Sequence, residues 1–324
     1  MKVGESRIDL SVIVVDFNSA ELTITSVESI LKNSGDCQLE IIIIDNSPSK
    51  TIQLLELSKN NQLIKYYHTS SNLGYGRANN IGINKSNGEF ILIINPDIKI
   101  IHGKLDQLVN YARKTKQLGA LSCRLTNSDG TFQESRTYDV GSLHSRLKNN
   151  IFYAKITKAK KQSNQNHTIK ALMGSFLLIP KNVIEKVGFF DPDFFMYSEE
   201  IELCIRISKN NLNLCYYEDM TVTHLNGGTV NNSNWQFNQK LISEFLLNYK
   251  LFGIKGYILH HFLFLTTIFF NLIFVYFLVP EMKKQTKSSI ISYLNQINKI
   301  FKIPFESSNS KYCTIKSLKA TYEK

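Results

Sequence analysis

The chain has 324 residues, 43% of them hydrophobic and 20% charged, with a formal net charge of +11. This length and apolar content suit one large α/β domain with an appendage, and they exclude a chain too polar to bury a core. The excess charge is concentrated in residues 281–324, where nine lysines face three acids; because this basic tail follows an apolar run, it points to an anionic membrane surface. Nucleic acid is a poor candidate partner, since the basic residues are concentrated in the tail and no reading motif accompanies them.

The polar N-terminus, MKVGESRIDL, shows no secretory-type segment, so the main domain is expected in the cytoplasm. The five cysteines (Cys37, Cys123, Cys204, Cys215 and Cys313) lack metal-type spacing and read as free thiols. From Leu10 to about Cys123, short apolar runs alternate with helical spacing. The runs are LSVIVVD (10–16), EIIIID (40–45), LIKYYH (63–68), EFILIINPD (89–97) and LGALSC (118–123). Strands alternating with helices predict βαβ units and a parallel sheet. Nearly continuous Ile and Val runs predict strands buried on both faces.

Residues 125–170 are polar and read as an irregular region over a site. A second block, 171–224, predicts one strand (ALMGSFLLIP), a helix, an acidic helix (MYSEEIELCIRISK) and a further strand (NLCYYEDMTVTH). Residues 236–255 predict a helix leading into the run Gly256–Pro280, which contains no Asp, Glu, Lys or Arg. Its length matches the ~20 residues that cross a bilayer. A buried core helix and a monotopic or re-entrant helix are the alternatives, because His260, His261 and Asn271 are costly in hydrocarbon.

In an open parallel sheet, ligands bind beyond the carboxyl ends of the strands. Asp16 closes the first apolar run, Asp45 and Asn46 the second, and Asn95 and Asp97 the fourth. Each alone reads equally well as a turn or helix-cap residue; their repetition at successive strand ends suggests a shared site. In the loop SNLGYGRANNIGI (71–83), Gly74 and Gly76 allow close backbone approach and Arg77 can pair with phosphate. The same loop resembles the start of a dinucleotide fingerprint, which would make the chain an NAD-dependent oxidoreductase. Against this, the third glycine position is Asn79, and the loop follows the third strand instead of the first. Glu199, Glu200 and Glu202 crowd the start of a helix, where the dipole favours acids, but where a general base could also stand.

Taken in order, SVIVVDFNS, IIIIDNSPS, NLGYGRANNIGI, INPD, the stretch GSFLLIPKNVIEKVGFFDPDFFMYSEEIELCIRISK and VTHLNGGTV resemble family 2 glycosyltransferases, specifically the bacterial rhamnosyltransferase-like branch. The resemblance covers roughly residues 9 to 230. It implies a GT-A type, Rossmann-like α/β domain with a mixed central sheet over 1–235, with a donor half at about 9–124 and an acceptor and catalytic half at about 168–230. Residues 236–324 would form a helical membrane-associating region, with the apolar run 256–280 and the basic tail 281–324.

The implied activity is inverting transfer of rhamnose or another hexose from a dTDP- or UDP-sugar to a lipid-linked glycan acceptor. This would serve O-antigen or capsule synthesis at the cytoplasmic face of the inner (plasma) membrane. Asp45 would contact the nucleobase, and Asp16, Asn18, Asn46, Gly74, Arg77, Asn80 and Asn95 would line the donor pocket. Asp97 and His224 would hold a divalent cation, Mg²⁺ or Mn²⁺. Glu200 falls at the base position, with Glu199 beside it. The chain departs from the family pattern where Glu199-Glu200 replaces Glu-Asp, Glu202 replaces a later Asp, Asp16 replaces a residue that is usually Asn, Thr or Tyr, and Ile-Asn-Pro-Asp lacks a first acid. The extra methylene moves a base by about one bond length, which leaves either Glu200 or Glu199 as the base. A catalytically impaired nucleotide-sugar-binding scaffold is the non-enzymatic alternative.

Overall fold

A computed structural model of the chain describes residues 7–137, 168–225, 233–270, 272 and 280–307. The first half alternates β1 (Leu10–Asp16), α1 (Ala20–Lys32), β2 (Leu39–Asp45), α2 (Ile52–Asn60), β3 (Ile64–His68), α3 (Tyr75–Lys85) and β4 (Phe90–Ile94). Then come β5 (Ile98–His102), α4 (Leu105–Lys114), β6 (Leu118–Thr126), β7 (Phe132–Gln133) and β8 (Arg136–Thr137). Beyond residue 167 lie β9 (Ala171–Leu172), β10 (Phe176–Pro180), α5 (Lys181–Val187), α6 (Glu199–Lys209), β11 (Asn213–His224), α7 (Ser233–Phe270) and α8 (Pro280–Glu306).

One sheet runs β3-β2-β1-β4-β10-β6-β11-β5, with β7 paired to β6. Strands β3, β2, β1 and β4 are mutually parallel, whereas β10 is antiparallel to both β4 and β6. All seven positions of β1 and of β2 are buried. Alternate residues divide between two cores: Val12, Val14, Ile41 and Ile43 face one, and Ile13, Val15, Ile42 and Ile44 face the other. Helices on both faces therefore explain the unbroken β-branched runs.

Two local departures from the predicted elements build the site. ALMGSFLLIP breaks at Met173-Gly174-Ser175 into β9 and β10, which belong to different sheets. The break is held from outside: Tyr75 Oη donates to Gly174 O at 2.8 Å and Asn95 N to Ser175 O at 3.0 Å. Beyond β4, the chain turns at Asn95-Pro96-Asp97 and enters β5, whose antiparallel pairing with β11 sets His224 opposite Ile98.

Helix α7 is not one straight rod. Gly253 adopts φ 64° and ψ −160°, and beyond it the chain folds back. The Phe245 ring lies 4.4 Å from each of His260 and His261 and 5.6 Å from Phe264. In a continuous helix, residues 245 and 260 would stand about 22 Å apart. The expected helix leading straight into the apolar run is thus a corner, and α8 packs alongside it in a shared cluster of Phe194, Phe245, Tyr257, Tyr293, Ile300 and Ile303. Of the predicted run Gly256–Pro280, residues 271 and 273–279 lie outside the described residues, as do 308–324 of the basic tail and 138–167 of the predicted irregular region.

Candidate active site

A cleft of about 520 Å³ opens at the carboxyl ends of the central strands. Six of the residues singled out in the sequence line it: Asn46, Asn95, Asp97, Glu199, Glu200 and His224. The register brings Asp16 and Asp45 side by side, as successive strand ends predict, but both carboxylates are engaged beneath the cleft. Asp16 accepts from Ser19 Oγ at 2.8 Å and Thr23 Oγ1 at 2.6 Å, which ties the start of α1 to β1.

Asp45 accepts from Tyr66 Oη at 2.5 Å, Thr51 N at 2.9 Å and Ser47 N at 3.1 Å. Burial alone would push this carboxyl up, but the hydrogen bonds from Tyr66, Ser47 and Thr51 prevail and hold it below the usual range. Asn18 has φ 52° and donates its N–H to Ser47 Oγ at 2.9 Å, so it shapes the turn after β1.

The glycine loop is organised by Asn46, whose Nδ2 reaches Asn72 Oδ1 at 3.0 Å and whose Oδ1 accepts from Leu73 N at 3.0 Å. Gly74 has φ 85°, and a Cβ there would lie 2.2 Å from Phe195 O. Its role is close backbone packing. Arg77 does not line the cleft; its Nε donates to Pro192 O at 2.6 Å. Asn80 is buried and exchanges two hydrogen bonds with the backbone of Phe190, at 2.9 and 3.0 Å. Arg77 and Asn80, expected at the donor, fasten α3 to the segment that leads to the glutamates.

That segment is clamped from several sides. Tyr75 N donates to Phe195 O at 2.8 Å, and Ser243 Oγ from α7 donates to Met196 O at 2.7 Å. Lys250 Nζ lies 2.9 Å from Asp191 Oδ2 and also pairs with Asp193. Tyr197 and Ser198 then adopt φ 70° and 69°, two successive left-handed residues that turn the chain into α6. The clamp is what sustains this unfavourable backbone.

Helix α6 presents three acids with different fates. Glu202 is spent on Arg206, bound at 2.7–2.9 Å, while Arg206 also donates to Val187 O and Phe189 O. Glu199 is buried, and among the described residues its Oε2 has no hydrogen-bond partner. Burial, and then the neighbouring Glu200, raise its carboxyl well above the ordinary value. Glu200 is half-buried against Gly174 and is raised by burial. The pair therefore holds a proton more tightly than free carboxyls do.

His224 Nε2 stands 3.3 Å from Asp97 Oδ1 and 3.3 Å from Asn95 Nδ2, and its Nδ1 lies 3.2 Å from Gln133 Oε1. In the tautomer that donates Nδ1–H to Gln133, a lone pair on Nε2 faces the carboxylate. That pairing suits a bridging cation. Among the described residues, no group of three or more His, Cys, Asp and Glu could enclose one. The two side chains fit a divalent cation that takes its remaining oxygens from a diphosphate and water, as Mg²⁺ commonly does.

Several lining residues were not singled out in the sequence: Tyr75, Gly174 and Tyr197, together with Gln236 and Lys240 from α7. Lys240 Nζ sits 5.0 Å from the centre of the Tyr197 ring. A tyrosine two positions before an acidic pair was visible in the sequence. Nothing local announces that a helix some 40 residues later returns to the same cleft.

The profile for glycosyl transferase family 2 matches residues 11–188. Curated relatives include the low-salt glycan biosynthesis hexosyltransferase of Haloferax volcanii, 28% identical over 66% of this chain and 66% of its own length. Rhamnosyltransferase WbbL of Escherichia coli is 24% identical over 59% of this chain and 75% of its own. The N-acetylglucosaminyl-diphospho-decaprenol L-rhamnosyltransferase of Mycobacterium tuberculosis is 26% identical, over 50% and 58%. The chain spans just under two thirds of the first of these relatives and less of the third.

Among solved structures, GalNAc-T7 with UDP, GalNAc and Mn²⁺ superposes with a TM-score of 0.57 at 14% identity, covering 91% of this chain and 57% of that one. The mannosyltransferase PcManGT from Pyrobaculum calidifontis, in complex with GDP-Man and Mn²⁺, gives 0.53 at 12% identity, covering 98% and 80%. At such identities the likeness speaks for the fold alone. With more than half its length matched by the family profile, the chain belongs to glycosyl transferase family 2, and its sheet is of the GT-A type.

Proposed function

We propose that the protein is an inverting hexosyltransferase, with rhamnose or a related hexose carried by a dTDP- or UDP-diphosphate donor. The acceptor is a lipid-linked glycan in cell-surface polysaccharide assembly, met at the cytoplasmic face of the membrane. One observation carries the reading: a raised carboxyl pair, Glu199-Glu200, shares a single cleft with the Asp97–His224 pair at the strand ends. The rhamnosyltransferase names among the relatives favour the sugar.

In this reading the nucleotide lies along the ends of β1 and β2, against Val15, Phe17 and Asn46, and its diphosphate reaches Asp97 and His224. Asp97 and His224 would hold a divalent cation, which would supply charge neutralisation for a departing diphosphate. Glu200, the less buried acid, takes the proton from an acceptor hydroxyl as that oxygen bonds to the anomeric carbon. The bond between the anomeric carbon and the diphosphate oxygen breaks, and the nucleoside diphosphate leaves with the electron pair. Gln236 and Lys240 form the acceptor side.

The test is thermal unfolding with dTDP, UDP and GDP, each with and without Mn²⁺, because a ligand of the folded state raises its stability. The expected result is a rise with dTDP or UDP, larger with Mn²⁺, whose metal-dependent part disappears in Asp97→Ala. Equal shifts with and without metal in both proteins would remove the cation from the reading. The absence of any nucleotide effect would remove the donor.

A further inference from the structure

The helical corner beyond Gly253 has two faces, and both helices that form it show the same division. Toward the interior, Tyr257, His261 and Phe264 meet Tyr293, Ile297 and Ile300, with Tyr257 Oη donating to Ile300 O at 2.9 Å. Outward, Ile254, Ile258, Phe262, Leu265 and Phe269 are 46–62% exposed and recur at helical spacing along one stripe. On α8, Ile291, Leu294, Phe301 and Phe305 form a second exposed series. So many large apolar side chains facing out of one corner mark an interaction surface.

The occupant follows from charge and from packing. Exposed Lys255, Lys287, Lys299 and Lys302 adjoin the apolar series. An anionic lipid surface answers both features at once, whereas a second copy would set the same lysines against one another. Lateral packing then decides the mode. The apolar segment is flanked along 257–264 by α8, down to the 5.3 Å contact between the His261 and Phe301 rings. If α7 crossed the bilayer, α8 would be carried into hydrocarbon with Lys299, Lys302 and Glu306, all costly there.

We infer that residues 254–270 and α8 form a monotopic hairpin, lying in the plane of an anionic lipid surface with the outward series immersed. This deepens the membrane part of the proposed function and rests on it. The other arm of α7 supplies Gln236 and Lys240 to the cleft, so the hairpin holds the acceptor side of the site at the lipid surface.

The experiment places one tryptophan at a time in the full chain, using Trp235→Phe to remove the only native one. Ile254→Trp, Phe262→Trp and Phe269→Trp are mixed with phosphatidylcholine vesicles containing about one third phosphatidylglycerol, with quenchers at known acyl depths. All three should be quenched at one shallow depth, about 5–10 Å below the surface. Binding should fall in vesicles without phosphatidylglycerol and at high salt. In Ile258→Glu/Phe262→Glu, vesicle binding should be lost while the nucleotide-induced thermal shift persists.

Depth increasing by about 22 Å from position 254 to 269 would mean that α7 crosses, which overturns the in-plane hairpin and leaves membrane attachment standing. Absence of vesicle binding would overturn both. Accompanying dimerisation in sedimentation, lost in the double variant, would assign the face to a second copy.

Discussion

Replacing Glu199 by Gln tests how the acid pair divides its work. Glu199 is 3% exposed, among the described residues its Oε2 has no hydrogen-bond partner, and burial followed by Glu200 raises its carboxyl well above the ordinary value. A carboxyl whose folded pKa is raised binds its proton more tightly in the native state. Its contribution to stability is full below the unfolded value of about 4.3 and is lost as pH rises toward the folded value. The loss runs at about 1.4 kcal/mol per pH unit within that window.

Gln keeps the shape of the protonated acid and does not titrate. Glu199→Gln should therefore be more stable than the parent at about pH 8 in urea unfolding, and the gain should shrink toward about pH 5. If Glu200 is the base, kcat of Glu199→Gln stays within about tenfold of the parent, and Glu200→Gln loses about 10²- to 10⁴-fold. A collapse of kcat in Glu199→Gln comparable to that in Glu200→Gln would make Glu199 the base and refute this division. Failure of the pH-dependent stability gain would refute the raised carboxyl itself.

Two other substitutions probe the scaffold. Gly74→Ala puts a Cβ 2.2 Å from Phe195 O at φ 85°, so the urea midpoint should fall by an amount equivalent to about 1–3 kcal/mol, with weaker nucleotide binding because Asn46 and the loop shift together. Lys250→Met removes the cation that neutralises Asp191 and Asp193 and should cost about 3–5 kcal/mol in urea unfolding. Burial works against the Lys250 charge, but the two aspartates prevail and raise its pKa, so the parent's advantage is full below about pH 10.4 and declines as pH rises through the higher folded value.

The parallel half of the sheet was legible because its information is local. Strands β1 and β2 read directly as Ile and Val runs ending in Asp, and Asn95, Asp97, Glu199, Glu200 and His224 line one cleft. What could not be read was the use each polar group makes of its neighbours. Asp16 looks like any strand-end carboxylate in the sequence, yet Ser19 and Thr23 occupy it. Arg77 is engaged by a carbonyl 115 residues away. The break in ALMGSFLLIP was equally hidden, because Gly174 is held by Tyr75, 99 residues away.

The family profile ends at residue 188, yet the cleft takes Tyr197, Glu199, Glu200, His224, Gln236 and Lys240 from beyond it. The two sides of the site are built by different physics. One side stands on strand ends whose position follows from sheet register, so short motifs suffice to specify it. The other side depends on a segment, 189–198, with two left-handed residues that would relax if unsupported. Its supports are Asn80, Tyr75 and Arg77 from α3, and Ser243 and Lys250 from α7. The first arm of α7 is thus a wall of the cleft as well as the start of the apolar hairpin. A disturbance of the hairpin has a direct mechanical route to the glutamates, through Phe245 to Phe194 in their common cluster, without passing through the parallel half of the sheet.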